Sequence, residues 1–485
     1  MKTLKASSLT LNAALLTAFY CLSVFFLIGT TNFDFFGNRN WHDQQRMAEG
    51  IFLVLLLPIW LLKQTRLGHK NQSKQAIPQY VANGFMLFGT LGLASALLAQ
   101  YLHWALLEWS LILSLLIGML FIAHLRMDAG ERFDRVMLGI FAAACLTYFM
   151  GFSAAYFATL MGDPLNAWEL FHGFSNVRFF GQFQTMTLPL LALLIYYSKS
   201  TLQKTASFSL LSCWWMLAFV SGTRGTWLGM LVAAMLIGLT GWRPGRIWLR
   251  LQATTAVIGL CLYALLFYAV PYLTGNVEQL INRLPDITGL SKREVIWEQA
   301  WEIIKQHPLL GVGPMHFAAI PNMVGAHPHN SILQLAAEWG IPAMLLLVGF
   351  AVYGLIRFSA AIHRQRFSLD RPPMLQMVLF AALISAATQS LVDGVIVMPY
   401  TQTVLMIIAG WALGVHLSAT VALHTRQLPA VTVIIVTVAA TLLLSTMVYL
   451  ALPQIPELRK REEVYISQHG SHLLPRFWRQ GWIAE

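Results

Sequence analysis

His327-Pro328-His329-Asn330 places two imidazoles directly ahead of the short amphipathic run Ser331-Ile332-Leu333-Gln334-Leu335-Ala336-Ala337-Glu338-Trp339-Gly340. An imidazole titrates near neutral pH, so a histidine held at the edge of a polar segment can act as a general base. Asn330 is a good N-cap for a helix over 331–339, and Gly340 is a good residue to end it before Pro342. His329 then stands just ahead of a helix N-terminus, whose positive end disfavours a protonated ring and keeps the base free. His327 reads as an accessory group beside it. His-x-His spacing also suits a metal, but no convincing cluster of Cys, Asp or Glu ligands accompanies it, so no metal is expected.

Three arginines in other polar segments could bind an anion. Arg224 lies in the hairpin Ser221-Gly222-Thr223-Arg224-Gly225-Thr226-Trp227, where flanking glycines permit a tight turn and close approach of a ligand. Arg293 belongs to Ser291-Lys292-Arg293-Glu294, which has the form of a capping box with serine at the N-cap. That pattern predicts a helix to about Gln306, stopped by His307-Pro308, with Ile296, Trp297, Ala300, Trp301 and Ile304 on one apolar face. Arg293 in its first turn, beside free backbone N–H groups, would make a phosphate clamp. The alternative is an interfacial helix whose Lys292 and Arg293 touch lipid headgroups. Arg178, with Gln182 and Gln184 nearby, is a third candidate contact for an anion. Gly311-Val312-Gly313-Pro314 is a turn and lacks the strand context of a dinucleotide fingerprint. Asp393 and Gln389 stand near the outer end of an apolar run, where an ionisable group is a functional candidate or a structural counter-charge.

The elements that must position these groups are membrane helices. Hydrophobic residues make up 57% of the 485 and charged residues 11%, and the mean hydropathy is +0.61. Spans of roughly 20 apolar residues are expected near 9–29, 45–62, 81–99, 103–124, 136–158, 183–198, 206–221, 228–241, 252–273, 340–356, 375–396, 402–420 and 430–451. The expected fold is an all-α integral membrane protein, a bundle of 12–13 transmembrane helices with a helical periplasmic loop. Its parts are 1–274, with nine spans and the hairpin 221–227; the long loop 275–339; the spans of 340–451; and a polar tail, 452–485.

With the N-terminus inside, cytoplasmic segments hold nineteen of the 32 Lys and Arg residues and outer segments thirteen, five of them in the tail. The tail alone leans toward twelve spans. The net charge of +11 follows from this bias and is no sign of nucleic-acid binding. Lys2 and Lys5 precede a first span without a small-x-small cleavage site, which reads as a retained anchor. Cys21, Cys145, Cys213 and Cys261 all fall in spans and read as packing residues.

The pattern resembles the O-antigen ligase family, which includes O-antigen polymerases and the oligosaccharyltransferases of pilin glycosylation. Ser221-Gly222-Thr223-Arg224-Gly225-Thr226-Trp227-Leu228 is similar to its arginine hairpin, and Arg293 and Trp297 through His307-Pro308-Leu309-Leu310-Gly311-Val312-Gly313-Pro314 to Phe317 to its outer-loop helix and turn. His329-Asn330, nine residues and Gly340 match its His-Asn-x9-Gly motif, although Ala343 stands where the family has Gly, Thr or Tyr. The resemblance implies a bacterial inner-membrane enzyme working at the periplasmic face, with no cofactor. It would move a glycan from undecaprenyl pyrophosphate to an acceptor hydroxyl, on lipid A–core, on a protein such as pilin, or on a growing glycan.

In that chemistry His329 is the base, Arg224 and Arg293 stabilise the departing diphosphate, and attack opposite the leaving group inverts the anomeric centre. Arg178 and Gln184 would contact the donor, with His327, Asn330 and Asp393 accessory. The polymerase reading predicts Arg-x10-Gly motifs in two outer loops, and none begins at Arg178, Arg224, Arg283 or Arg293. A transporter of anionic lipids would need an arginine-lined path and repeated halves, and neither is evident.

Overall fold

The computed structural model describes residues 2–37, 40–67, 74–75, 79–161, 170–275, 292–322, 324–367, 371–420, 426–427, 430–470 and 472–484. All thirteen apolar segments are helical. They are α1 (Lys2–Val24, continued through a π-turn to Asn32), α2 (Trp41–Leu67), α3 (Gln79–Leu97), α4 (Leu102–Ala129), α5 (Glu131–Leu160), α6 (Val177–Tyr197), α7 (Thr201–Ser221), α8 (Arg224–Thr240) and α9 (Arg243–Ala264, continued to Thr274). After the long loop, with its helices α10 (Arg293–Gln306) and α11 (Ser331–Trp339), come α12 (Ile341–Arg364), α13 (Arg371–Ser390), α14 (Pro399–Thr420) and α15 (Ala430–Ala451). The tail adds α16 (Leu458–His469). Among the described residues ten helical stretches are long and apolar enough to cross a membrane, and Arg224–Thr240 is a shorter apolar helix. The protein is an all-α integral membrane protein; Lys74–Gln75 and Arg426–Gln427 form a minimal antiparallel pair.

Burial sorts the helices into a centre and a rim. The most apolar stretches of α6, α13 and α14 are 83%, 78% and 72% buried, whereas those of α9 and α12 are 17% buried. In a bilayer the rim meets lipid, so its apolar side chains need no protein partner, and close packing concentrates at the centre. There α4 lies along α14, and α6 packs on α7 and α13. Gly410 shows why α14 comes so close: a Cβ on it would sit 2.6 Å from the Met119 carbonyl oxygen. Around α6, Phe180, Phe183, Tyr148, Trp214 and Tyr400 stack and meet edge to face.

The long loop folds onto the bundle through backbone hydrogen bonds. The turn after α10 docks on the end of α11: Val312 N–H donates to the Ala337 carbonyl at 3.0 Å, Gly313 N–H to Glu338 at 3.0 Å, and Ile341 N–H to Pro308 at 2.9 Å. These bonds satisfy carbonyls that the helix end would leave orphaned. Three expectations need correction. The first helical residue of α10 is Arg293 with Lys292 at its N-cap in the left-handed region (φ 59°), so no serine N-cap starts the helix, and Ser291 lies outside the described residues. Trp301 is exposed, and Ile303 takes its place beside Ile296, Ala300 and Ile304 on the buried face. The span drawn to 396 ends at Ser390, because Asp393 turns its carboxylate onto the Gly394 N–H at 2.8 Å and a new helix starts at Pro399.

Candidate active site

Three helix starts carry the three arginines. Arg178 is the second residue of α6, whose N-cap Asn176 accepts from the Arg178 N–H at 2.9 Å. Arg224 opens α8 after the left-handed Gly222 and the N-cap Thr223, and Arg293 opens α10. The starts of α6 and α8 are held together: Thr226 Oγ1 donates to the Gly181 carbonyl at 2.8 Å, and a Cβ on Gly181 would meet the Thr223 hydroxyl at 2.5 Å. The guanidinium charges of Arg178 and Arg224 both act on Arg293. Burial lowers the pKa of Arg293, Asp393 opposes that, and Arg178 and Arg224 lower it further. Arg293 Nε is buried with no partner among the described residues. Clustered cations at helix starts with an unsatisfied donor suit a diphosphate, which brings the missing negative charge and acceptors.

Asp393 lies beside this cluster, and here the structure adds what sequence reasoning left open. Its Oδ1 is 3.6 Å from His329 Nδ1, just beyond a formed hydrogen bond. Oδ2 is 3.5 Å from Gln389 Nε2, and Gln389 in turn lies against the hairpin, since a Cβ on Gly225 would be 2.9 Å from that nitrogen. Burial pushes the Asp393 carboxyl up, but His329, the Gly394 N–H and Gln182 outweigh it and hold it below the ordinary aspartate range. Asp393 is therefore an anion at neutral pH, facing one nitrogen of the imidazole. The other nitrogen, Nε2, lies on the side of Gly325.

His329 is held in the left-handed region at φ 51°, unusual for a residue with a Cβ. Its neighbours over-determine it. Asn330 accepts from the N–H groups of Ile332 and Leu333 at 3.0 and 3.1 Å, the N-cap expected from sequence. His329 N–H donates to His327 Nδ1 at 3.2 Å, and Trp297 Nε1 donates to the Pro328 carbonyl at 2.9 Å. His327 is buried, and burial first, then His329, Arg476, Arg293 and His42, pull its pKa well below the usual histidine value. A neutral His327 accepting at Nδ1 carries its proton on Nε2. Gly394 packs so tightly on this ring that a Cβ would lie 2.5 Å from its Cε1.

The structure thus brings together His329, His327, Arg293, Arg224, Arg178 and Asp393. Gln184 is set apart: it is fully buried, donates to the Trp214 carbonyl at 3.2 Å and accepts from Ser221 at 3.3 Å, so it joins α6 to α7. Gln182, two residues earlier, faces the site instead, with its amide oxygen accepting from Thr401 at 3.0 Å. Sequence reasoning also missed Arg46 and Glu49, a buried pair at 2.5 Å near the start of α2. In sequence this pair stands in the polar start of α2 and reads as a solvated face, so only the tertiary fold reveals its burial. Among the described residues no group of three or more His, Cys, Asp or Glu could hold a metal.

Fold and site define a multi-pass, all-α membrane protein with an imidazole–carboxylate pair beside an arginine cluster. Residues 206–348 match the family described as O-antigen ligase, so the resemblance carried by the hairpin, α10 and the His-Asn motif holds across that segment. The exopolysaccharide production protein ExoQ of Rhizobium meliloti (strain 1021) is 26% identical over 218 residues, which cover 38% of this chain and 49% of that protein. The chain thus spans about half the length of this relative. Arg224, Arg293, His327 and His329 lie inside the family segment, whereas Arg178 and Asp393 lie outside it.

Proposed function

We propose that the protein is a glycosyltransferase of the bacterial inner membrane that moves an oligo- or polysaccharide from undecaprenyl pyrophosphate to an acceptor hydroxyl at the periplasmic face, the acceptor being lipid A–core. The observation that carries this reading is the convergence of three helix-starting arginines on a His329–Asp393 pair. Arg178, Arg224 and Arg293 hold the diphosphate, and charge developing on its bridging oxygen as the anomeric bond breaks is met by cations already in place. The acceptor hydroxyl attacks the anomeric carbon from the opposite face and inverts it. Its proton passes to His329 Nε2, and Asp393 opposite Nδ1 orients the ring and stabilises the imidazolium that forms. No metal enters this scheme. The charge bias of the loops puts this face outside.

A second reading, transfer to the end of a growing polysaccharide, is favoured by the name of the relative, a protein of exopolysaccharide production. Both readings share the donor side. The deciding experiment compares a deletion strain with one carrying His329→Ala, through lipopolysaccharide ladders, secreted polysaccharide length and pilin mass. Loss of long-chain lipopolysaccharide in both strains with polymer length unchanged supports ligation. Shortened polymer supports chain growth, and a change confined to pilin mass moves the acceptor to protein. Transfer surviving in His329→Ala removes His329 as the base. Arg224→Ala and Arg293→Ala should each lower transfer by about 10²-fold through the donor, and unaltered donor affinity and turnover in both would sink the clamp.

A further inference from the structure

The tail, far outside the family segment, buries Arg476, Phe477 and Trp478 deep in the protein. Arg476 is 1% exposed, and its Nη2 lies 2.6 Å from Glu108 Oε1 on α4 and 2.6 Å from Glu338 Oε2 on α11. Gln334 of α11, with its amide oxygen turned toward the guanidinium, accepts from Arg476 at 2.6 and 3.0 Å. Glu338 Oε1 meanwhile accepts the Phe317 N–H at 3.1 Å. Arg46 answers from α2: Nε donates to the Phe477 carbonyl at 3.1 Å, and Nη2 to the Val397 carbonyl at 2.7 Å, in the turn that carries Asp393. Its Nη1 donates to Gln402 at 2.6 Å on α14, just beyond that turn. Arg479 N–H donates to Asp43 at 2.7 Å, and a Cβ on Gly481 would lie 3.3 Å from Ala326, the neighbour of His327.

The same short stretch of tail thus touches α11, which follows His329, lies beside the segment before His327, and reaches the turn holding Asp393 through Arg46. The two members of the His329–Asp393 pair stand 64 positions apart in the chain, and no single helix carries both. We infer that residues 474–482 are a strap that sets the register of this pair, with Arg476 as a positioning residue acting through α11 and Arg46 acting through the Asp393 turn. The inference rests on the proposed base role of His329. A single guanidinium fork reaches two carboxylates and an amide, a geometry that one ammonium cannot reproduce.

The test uses the full-length enzyme with Arg476→Lys, Arg476→Gln, the pair Arg476→Gln with Glu108→Gln, and Arg459→Gln as a control on exposed α16. Arg476→Lys keeps the buried charge balance, so folded protein in detergent should be retained. Its kcat should fall at least tenfold with the KM for donor unchanged. Amide exchange should quicken in 325–334 and 391–398, and the control should match the parent. The paired Gln variant, free of the unmatched charge that Arg476→Gln leaves, should recover folded protein without recovering kcat. Wild-type kcat per folded molecule in Arg476→Lys or in the paired variant would overturn the strap, as would unchanged exchange in both segments. If His329→Ala also retains transfer, it is the base assignment that fails. An inactive His329→Ala beside a fully active Arg476→Lys isolates the failure to the strap.

Discussion

Replacing Asp393 by asparagine separates the charge of this group from its place in the fold. Asp393 Oδ1 accepts the Gly394 N–H at 2.8 Å, a bond that an amide oxygen keeps. The new amide nitrogen would face Gln389 Nε2, but the buried Gln389 oxygen has no partner and can turn to accept from it. The turn should therefore survive, and His329 should stay beside it without an anion at 3.6 Å. At an effective dielectric near 20, full charges at that separation attract by about 4–5 kcal/mol. If half the proton has moved at the transition state, about 2 kcal/mol of stabilisation is lost, a fall of roughly 30–50-fold in kcat. Donor affinity should hold or rise, because Arg293 loses the neighbouring carboxylate that now partly neutralises it. The assay is turnover of a lipid-linked glycan on purified enzyme, with donor binding measured separately and folding followed by thermal unfolding. A folded Asp393→Asn enzyme with kcat within about twofold of the parent would refute the pairing argument. A raised donor KM at unchanged kcat would move Asp393 to the donor side.

Two further outcomes follow from packing and charge. Gly394→Ala puts a methyl 2.5 Å from His327 Cε1, so the ring or the turn must shift. Overpacking of this kind costs about 1–3 kcal/mol, and transfer should fall at least tenfold with the protein still inserted and folded; activity equal to the parent would show that His327 can move freely. The second concerns pH. Burial, reinforced by Glu108 and opposed by Arg476, raises the Glu338 carboxyl to about 8. A carboxyl raised on folding contributes stability that is fully present below the ordinary glutamate value and is lost as pH rises through about 8. Thermal stability and protease protection of the tail should therefore decline between about pH 4.5 and 8 in the parent and stay flatter in Glu338→Gln. Parallel curves would refute this, because other titrating groups act on both proteins alike.

The legible parts of this molecule are the local ones. Each span announces itself by composition, and Asn330, Gly340 and His307-Pro308 mark the ends of α10 and α11 within a few residues. The arginines were legible for the same reason: each sits at a polar-to-apolar boundary where a helix has to begin. What escaped was set by partners distant in sequence. Nothing around Asp393 says that it meets His329, and Trp301 repeats the apolar spacing of α10 yet faces out because Ile303 fills the buried side. Gln184 shares a helix with Arg178 and Gln182 but points to Trp214, a difference of two residues along α6 that turns it by more than half a circle.

The tail shows where charge counting along a chain loses its meaning. Five of its residues are basic, which argued for an inner location and an even number of spans. In the folded protein Arg476 is shared between Glu108 and Glu338, Arg479 pairs with Glu462, Arg459 pairs with Glu463, and Arg461 lies over the Trp104 ring. The bias that orients a membrane protein reflects charges that stay with the cytoplasm and the lipid headgroups during insertion. Since Glu338 belongs to α11 in the long loop, its contact with Arg476 puts the tail beside the elements that hold the site. The pairs of Arg476 with Glu108 and Glu338 hold the tail against α4 and α11, and Arg46 links it to the Asp393 turn, so position in the fold, and not a count of basic residues, says where this tail lies.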